Sequence, residues 1–336
     1  MSRFFLVRNF LSVKTATAIA EQYSVEVPSV FSIEADSEEY FKKVSSSVSL
    51  SIPVLQTEPI NWLFERFNYL RHYKELFQSS VKIADLFKKY NVTELFVNYP
   101  VHEKDALYVK VAKRLGIHVS FYEEGSCFYT GGRGRKKNII SEIKFWMKHT
   151  SLWFIGIQRG YGVSADNWYS LLPIEKRPWH KVTISYDVRD YSGIKYLFLS
   201  RPVTLDFPSV SIELQIKSIL KFVKKIPAGE TLFIKFHPRE TEDLKRIIIS
   251  ELDKLAVDVI VKTFSDEIPA EDVVFNMPAN GIVCGFDSST LIYGYAINKN
   301  VTYCSVLSDL RKHDTMGELE NLYHVYKKEF KHIKFI

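Results

Sequence analysis

Short β-branched or aromatic runs alternate with amphipathic stretches along most of this chain, and the alternation breaks off once, in the middle, before it restarts. A pattern of this kind specifies parallel strands joined by helical crossovers, an α/β fold. In the first half it predicts strands near Arg3 to Val7, Val30 to Ile33, Leu95 to Val97 and His118 to Tyr122. Helices are expected over 13–23, 80–90 and 104–115; in the first of them Ala16, Ile19, Ala20 and Tyr23 share one face. The stretch 136–191 has no such rhythm and is rich in Trp and basic residues; its polar end, 186–193, reads as a linker. Beyond it the rhythm resumes, with strands expected over 195–199, 232–236, 257–261, 281–284 and 301–304 and helices over 212–225, 242–255 and 289–295. A chain of 336 residues has room for about two domains. The expectation is therefore two Rossmann-like α/β domains, 1–190 and 191–336, facing each other across an interdomain cleft.

Composition narrows the function classes. Hydrophobic residues at 46% and charged residues at 25% are the balance of an ordinary globular protein with enough apolar material for two cores. Cys127, Cys284 and Cys304 are odd in number and form no C-x-x-C pair, which argues against a disulfide framework and a zinc site. Phe4 to Val7 is too short for a secretory core and is followed by Arg8. No run approaches the roughly 20 apolar residues of a membrane span; the longest, 145–157, contains Lys148 and His149. The reading is a cytoplasmic protein that can rest on a membrane surface. A net charge of +6 suits anionic nucleotides, anionic glycans or lipid headgroups. Neither zinc-finger spacing nor an RNP-like aromatic motif appears, so nucleic acid is not expected as a partner.

In open parallel sheets, ligands bind beyond the carboxyl ends of the strands, and three polar clusters are expected there. Glu123-Glu124-Gly125 follows the strand ending at Tyr122. Consecutive residues at a strand end point to opposite sides, so one acid faces a site and the other does not; Gly125 is expected to allow a tight turn. The bland alternative is a solvated acidic turn. His237-Pro238-Arg239-Glu240 follows the strand ending near Phe236. Pro238 keeps His237 extended, and the imidazole can donate a hydrogen bond or a proton to a departing phosphate; otherwise it is a surface histidine. Asp287-Ser288-Ser289-Thr290 opens a helix. It is either a plain cap or an anion site made of backbone N–H groups, the positive helix end and two hydroxyls.

In this order, and with Phe198-Leu199-Ser200-Arg201-Pro202 between the first two, the clusters resemble the bacterial sialyltransferases, including the lipooligosaccharide sialyltransferases and the capsular polysialyltransferases. The resemblance runs from about Tyr122 to Leu291. It implies a GT-B architecture and inverting, metal-independent transfer of sialic acid from CMP-sialic acid to a glycan of a bacterial surface polysaccharide. One of Glu123 and Glu124 is then the base on the acceptor hydroxyl, and His237 assists departure of the CMP phosphate. Pro238, Ser288 and Ser289 fall on the donor-binding side. Glu271, in Ile268-Pro269-Ala270-Glu271, resembles an acid that holds the cytidine ribose in some members, its alternative being a helix-dipole acid. No cofactor and no metal are expected, only a CMP-sugar donor and a glycan acceptor.

Other features stay open. Arg133-Gly134-Arg135-Lys136-Lys137 can attract an anionic acceptor or a membrane surface, or be a solvated loop. Phe145, Trp146, Trp153 and Phe154 can meet a bilayer interface or pack internally. Competing functions are another CMP- or CDP-donor transferase, of Kdo or glycerophosphate type, and a non-catalytic glycan- or nucleotide-binding protein.

Overall fold

The computed structural model describes residues 1–23, 27–33, 54–56, 69–125, 128–129, 156–158, 160, 162–174, 177–186, 188–255, 258–265, 268–315 and 317–336. Cys127, the basic stretch 133–137 and the aromatic residues of 145–154 lie outside them. The chain divides into two compact units that part between Ser185 and Tyr186. Thr183 is still tied to the first unit, its N–H donating to Gln22 Oε1, whereas the Tyr186 ring stacks on Phe275 at 5.3 Å.

The first unit contains β1 (Ser2–Val7), α1 (Phe10–Tyr23), β2 (Ser29–Ile33), β3 (Val54–Gln56), α2 (Tyr69–Lys89), β4 (Val92–Asn98), α3 (Glu103–Arg114), β5 (His118–Tyr122), β6 (Asn167–Ser170) and β7 (Trp179–Lys181). Its strands form one sheet in the order β3-β2-β1-β4-β5-β6-β7, and every pair is parallel. Helices cover both faces of such a sheet, so its strands are apolar without alternation. In β1, Phe4, Phe5, Leu6 and Val7 are all buried. Register then decides the packing. Phe5 lies opposite Phe31 on one side and Phe96 on the other, and the three rings stack at 5.0 and 4.4 Å. Burying a side chain of this size contributes about 2–3 kcal/mol.

The second unit contains β8 (Tyr196–Leu199), α4 (Val203–Asp206), α5 (Ile212–Val223), β9 (Thr231–Lys235), α6 (Glu242–Leu255), β10 (Ile260–Thr263), α7 (Ala270–Asn276), β11 (Ile282–Gly285), α8 (Ser289–Ile297), β12 (Thr302–Ser305), α9 (Leu307–Leu310), α10 (Glu318–Glu329) and β13 (Ile333–Phe335). The strand order is β10-β9-β8-β11-β12-β13, again parallel throughout. In each unit the first strand lies beside the fourth of that unit, β1 beside β4 and β8 beside β11. The order reverses there, and this is the switch point at which open α/β sheets bind ligands. Each unit is thus a Rossmann-like half, as the rhythm of the sequence leads one to expect.

Helix α8 is seated by a close approach. A Cβ at Gly294 would lie 2.3 Å from the Tyr303 ring, so only glycine lets the helix settle on β12. The Tyr303 hydroxyl in turn donates to the Gly294 carbonyl at 2.6 Å. The loop before the helix is held by the Tyr326 hydroxyl, which donates to the Asp287 carbonyl at 2.6 Å.

Candidate active site

In the first unit the site is built on the loops after β1, β4 and β5. Asn9 follows β1 and caps α1, its Oδ1 accepting the Ser12 N–H at 2.9 Å. That contact fixes which end of the amide points where, and Asn9 Nδ2 donates to Glu124 Oε1 at 3.0 Å. His102, at the start of α3, places Nε2 at 3.3 Å from Glu124 Oε2. Arg8, beside Asn9, grips the buried carboxylate of Asp105 with Nε at 3.0 Å and Nη2 at 2.5 Å. The Glu124 hydrogen bond, and to a lesser degree its charge, raises the His102 imidazole above its ordinary value against the opposing effect of burial.

The two acids of the motif are placed differently. Glu123 extends the ladder, its N–H donating to the Tyr169 carbonyl at 3.0 Å, and its side chain is fully buried. Glu123 Oε2 accepts the Tyr129 hydroxyl at 2.6 Å and the Leu171 N–H at 2.9 Å. Burial and the Glu123 charge push the Tyr129 phenol well above its usual range. Glu124 is partly exposed and faces Asn9 and His102. Gly125 does open a tight turn, its carbonyl accepting the Phe128 N–H at 3.1 Å, but the turn does not depend on glycine. Its φ lies outside the left-handed region, and a Cβ there would meet nothing within 4 Å.

In the second unit, His237 to Glu240 form a closed turn after β9. The Glu240 N–H donates to the His237 carbonyl at 2.9 Å, and Glu240 Oε2 accepts the His237 N–H at 2.7 Å. Glu240 Oε1 accepts the Ser200 hydroxyl at 2.7 Å, which clasps the turn to the end of β8. The Arg239 N–H donates to His237 Nδ1 at 3.1 Å, so the neutral ring carries its proton on Nε2. Burial first, then the Arg239 and Arg201 charges, push this imidazole below its ordinary value. His237 is thereby a neutral hydrogen-bond donor near neutral pH. Pro238 is exposed beside it.

An ion-pair chain links this turn to the loop after β11. Arg239 donates to Asp206 through Nη1 at 2.9 Å and Nη2 at 2.8 Å. Asp206 also accepts Arg201 Nε at 2.8 Å, and Arg201 Nη1 pairs with Asp287. Ser288 caps α8, accepting the Thr290 N–H at 3.3 Å. Glu271, at the start of α7, reaches the same helix end. Its Oε1 accepts the Thr290 hydroxyl and the Tyr293 hydroxyl, each at 2.9 Å. Ser289 Oγ lies 3.1 Å from the Tyr293 hydroxyl. Glu271, Ser288 and Ser289 therefore share one network, and His237 is joined to it through Arg239, Asp206, Arg201 and Asp287.

Asn9, His102, Asp206 and Tyr293 were not among the residues expected from sequence. Two of them carried a signal: Asn9 precedes an apolar periodic run, the mark of an N-cap, and Tyr293 is one helical turn after Ser289. Among the described residues no group of three or more His, Cys, Asp or Glu is placed to hold a metal ion. No helix among them is long and apolar enough to cross a membrane.

A family model described as alpha-2,8-polysialyltransferase (POLYST) matches residues 197–307. The match runs from within β8 to the start of α9 and takes in the His237 turn, Glu271 and the Ser288-Ser289 pair, in agreement with the resemblance drawn from the motifs. No curated protein matches the chain in sequence. Among solved structures, Acinetobacter baumannii MurG is similar with a TM-score of 0.52 and 10% identity, over 100% of this chain and 86% of that one. The UDP-GlcNAc 2-epimerase of Methanocaldococcus jannaschii is similar with a TM-score of 0.53 and 12% identity, over 97% and 92%. The glycotransferase of kitacinnamycin gives a TM-score of 0.53 and 10% identity, over 99% and 86%. The architecture is that of the GT-B glycosyltransferases. That fold houses an epimerase as well as transferases, so it is the polysialyltransferase match that decides for a glycosyltransferase.

Proposed function

We propose that this glycosyltransferase moves sialic acid from CMP-sialic acid to a glycan acceptor of a bacterial surface polysaccharide, lipooligosaccharide or capsule, with inversion and without a metal. The observation that carries the donor side is the single network joining Glu271, Ser289 and the capped start of α8, inside the segment that matches the polysialyltransferase family. A helix start with two hydroxyls suits one phosphate, and CMP leaves with one phosphate. Glu271 has its Oε1 engaged by Thr290 and Tyr293, and its other oxygen accepts a ribose hydroxyl. His237 donates its Nε2–H to the departing phosphate and so lowers the cost of the charge that develops there.

On the acceptor side the working acid is Glu124, because Glu123 is fully buried and holds Tyr129 and Leu171 in place. The acceptor hydroxyl attacks the anomeric carbon from the face opposite CMP. One displacement of this kind inverts that centre. The enzyme works in the cytoplasm, with contact at the inner face of the membrane.

Product analysis with CMP-sialic acid and a panel of galactosides and oligosialic acids tests the reading. A sialylated product that forms in EDTA is expected. Turnover of CDP-glycerol, CMP-Kdo or UDP-GlcNAc in place of CMP-sialic acid would transfer the chain to another donor class. Binding of the nucleotide with no turnover of any donor would make it a binding protein.

A further inference from the structure

Glu124 offers little of itself to an acceptor. Its Oε1 is engaged by Asn9 Nδ2 at 3.0 Å and its Oε2 by His102 Nε2 at 3.3 Å, and its side chain is only 18% exposed. His102 has the opposite character. Its side chain is 43% exposed, and although it occupies the N-cap position of α3 it makes no side-chain cap. With Nε2–H directed at the carboxylate, the neutral ring presents its lone pair on Nδ1. Nδ1 makes no hydrogen bond among the described residues. We propose that the acceptor-side base is a His102–Glu124 dyad, in which His102 Nδ1 takes the hydroxyl proton and Glu124 fixes the tautomer and orientation of the ring.

This rests on the transferase reading above. The acceptor oxygen forms its bond to the anomeric carbon, and the bond from that carbon to the CMP phosphate breaks, its electron pair leaving with the phosphate. The hydroxyl proton passes to His102 Nδ1. The resulting imidazolium faces the Glu124 carboxylate and later loses its proton to solvent. Among the described residues, the charged groups around His102 are Glu124 after β5, Arg8 after β1 and Asp105 on its own helix, and Arg8 is neutralised by Asp105. The surroundings therefore favour the protonated ring, with Glu124 the largest cause. The raised value makes the imidazole a stronger base toward the hydroxyl proton than an ordinary histidine.

Two variants and a titration test the dyad. His102→Asn keeps a good N-cap residue at the start of α3, so it should fold. Its transfer rate should fall by about 10²–10⁴-fold, with CMP affinity unchanged by calorimetry. In the wild type kcat/KM should rise with pH through one inflection above 6.5, the ordinary histidine value. In Glu124→Gln that inflection should move down toward the ordinary value. His102→Asn within a few-fold of wild type, with activity of the wild type rising through the carboxylate range near pH ~4.3 instead, would make Glu124 the base and overturn the proposal. A ¹⁵N titration of the histidines needs no donor. It should show His102 protonated on Nε2 and titrating above its value in Glu124→Gln. A proton on Nδ1, or no change between the two proteins, overturns the dyad. A wild type with no turnover of CMP-sialic acid and a normal titration would instead remove the donor assignment.

Discussion

Asp206 accepts both terminal amino groups of Arg239, at 2.9 and 2.8 Å, while the same carboxylate holds Arg201 at 2.8 Å. The two halves of this arrangement differ in worth. Arg239 is 55% exposed, and an exposed ion pair contributes about 0–1 kcal/mol. Arg201 is 25% exposed and also meets Asp287. Arg239→Ala should therefore leave stability to urea within about 1 kcal/mol of wild type, and Asp206→Ala should cost about 1–3 kcal/mol. Asp206→Ala should also lower turnover, because it leaves the Ser200–Glu240 hydrogen bond to hold the loops after β8 and β9 together without the Arg201 and Arg239 ion pairs. Equal stability losses in both variants would mean that Arg239 carries more than its exposure suggests.

The lowered pKa of His237 has a definite sign. The folded state binds this proton less readily than the unfolded chain, so stability falls as pH drops through 6.5 toward the folded value. Above 6.5 there is no loss. A neutral Nε2–H donor also predicts that transfer does not fall as pH rises from about 7 to 8, as it would if an imidazolium had to give up a proton. His237→Ala should lower turnover by about 10²-fold or more. A pH profile that declines through the ordinary histidine range, and loses the decline in His237→Ala, would restore proton donation.

Much of the fold was legible because its strands are apolar on both faces and its helices amphipathic. His118–Tyr122 and Glu242–Leu255 stand where the pattern put them. What escaped has physical causes. β6 and β7, Asn-Trp-Tyr-Ser and Trp-His-Lys, lie at one side of the sheet and carry neither an apolar run nor a clean alternation. β10 is an edge strand, mostly exposed; its register is set by pairing from Ile260 to Thr231 and not by the apolar residues at 257–261. α2 begins at Tyr69, eleven residues before the expected 80; its first turns, Tyr-Leu-Arg-His-Tyr-Lys-Glu-Leu-Phe, interleave aromatic and aliphatic residues with charged ones. At the site, the acidic, histidine and serine motifs could be seen, but their partners could not. His102 and Asp206 become meaningful only when the loops after β1, β4 and β5, or after β8, β9 and β11, are brought side by side.

The acidic pair separates in two measurements. In Glu123→Ala the Tyr129 hydroxyl and the Leu171 N–H, which both donate to Glu123 Oε2, lose their acceptor. A fully buried loss of this kind should cost about 1–3 kcal/mol of stability. Glu124→Gln should leave stability nearly unchanged and lower transfer by about 10²–10⁴-fold. Neither should alter CMP affinity, since both act in the first unit. Equal, small losses of transfer in the two variants would reduce the pair to a turn.

Tyr293 links Ser289 to Glu271, and this gives the sharpest test of the proposed nucleotide site. Its single hydroxyl proton can serve Glu271 Oε1, at 2.9 Å, or Ser289 Oγ, at 3.1 Å, but not both at once. The carboxylate is the stronger acceptor, so the arrangement runs from Ser289 to Tyr293 to Glu271, and a phosphate that takes the Ser289 hydroxyl leaves the Tyr293–Glu271 bond intact. Ser289→Ala should then weaken CMP by about 1–2 kcal/mol, one hydrogen bond to a charged group, and leave cytidine unaffected. Glu271→Gln should weaken cytidine and CMP alike. Tyr293→Phe removes the donor to Glu271 and the acceptor for Ser289, so it should weaken cytidine somewhat and CMP more. Calorimetry with the two ligands separates these patterns. Loss of cytidine affinity in Ser289→Ala would show that the serine does not report on the phosphate, and the donor side of the site would have to be placed elsewhere in the second unit.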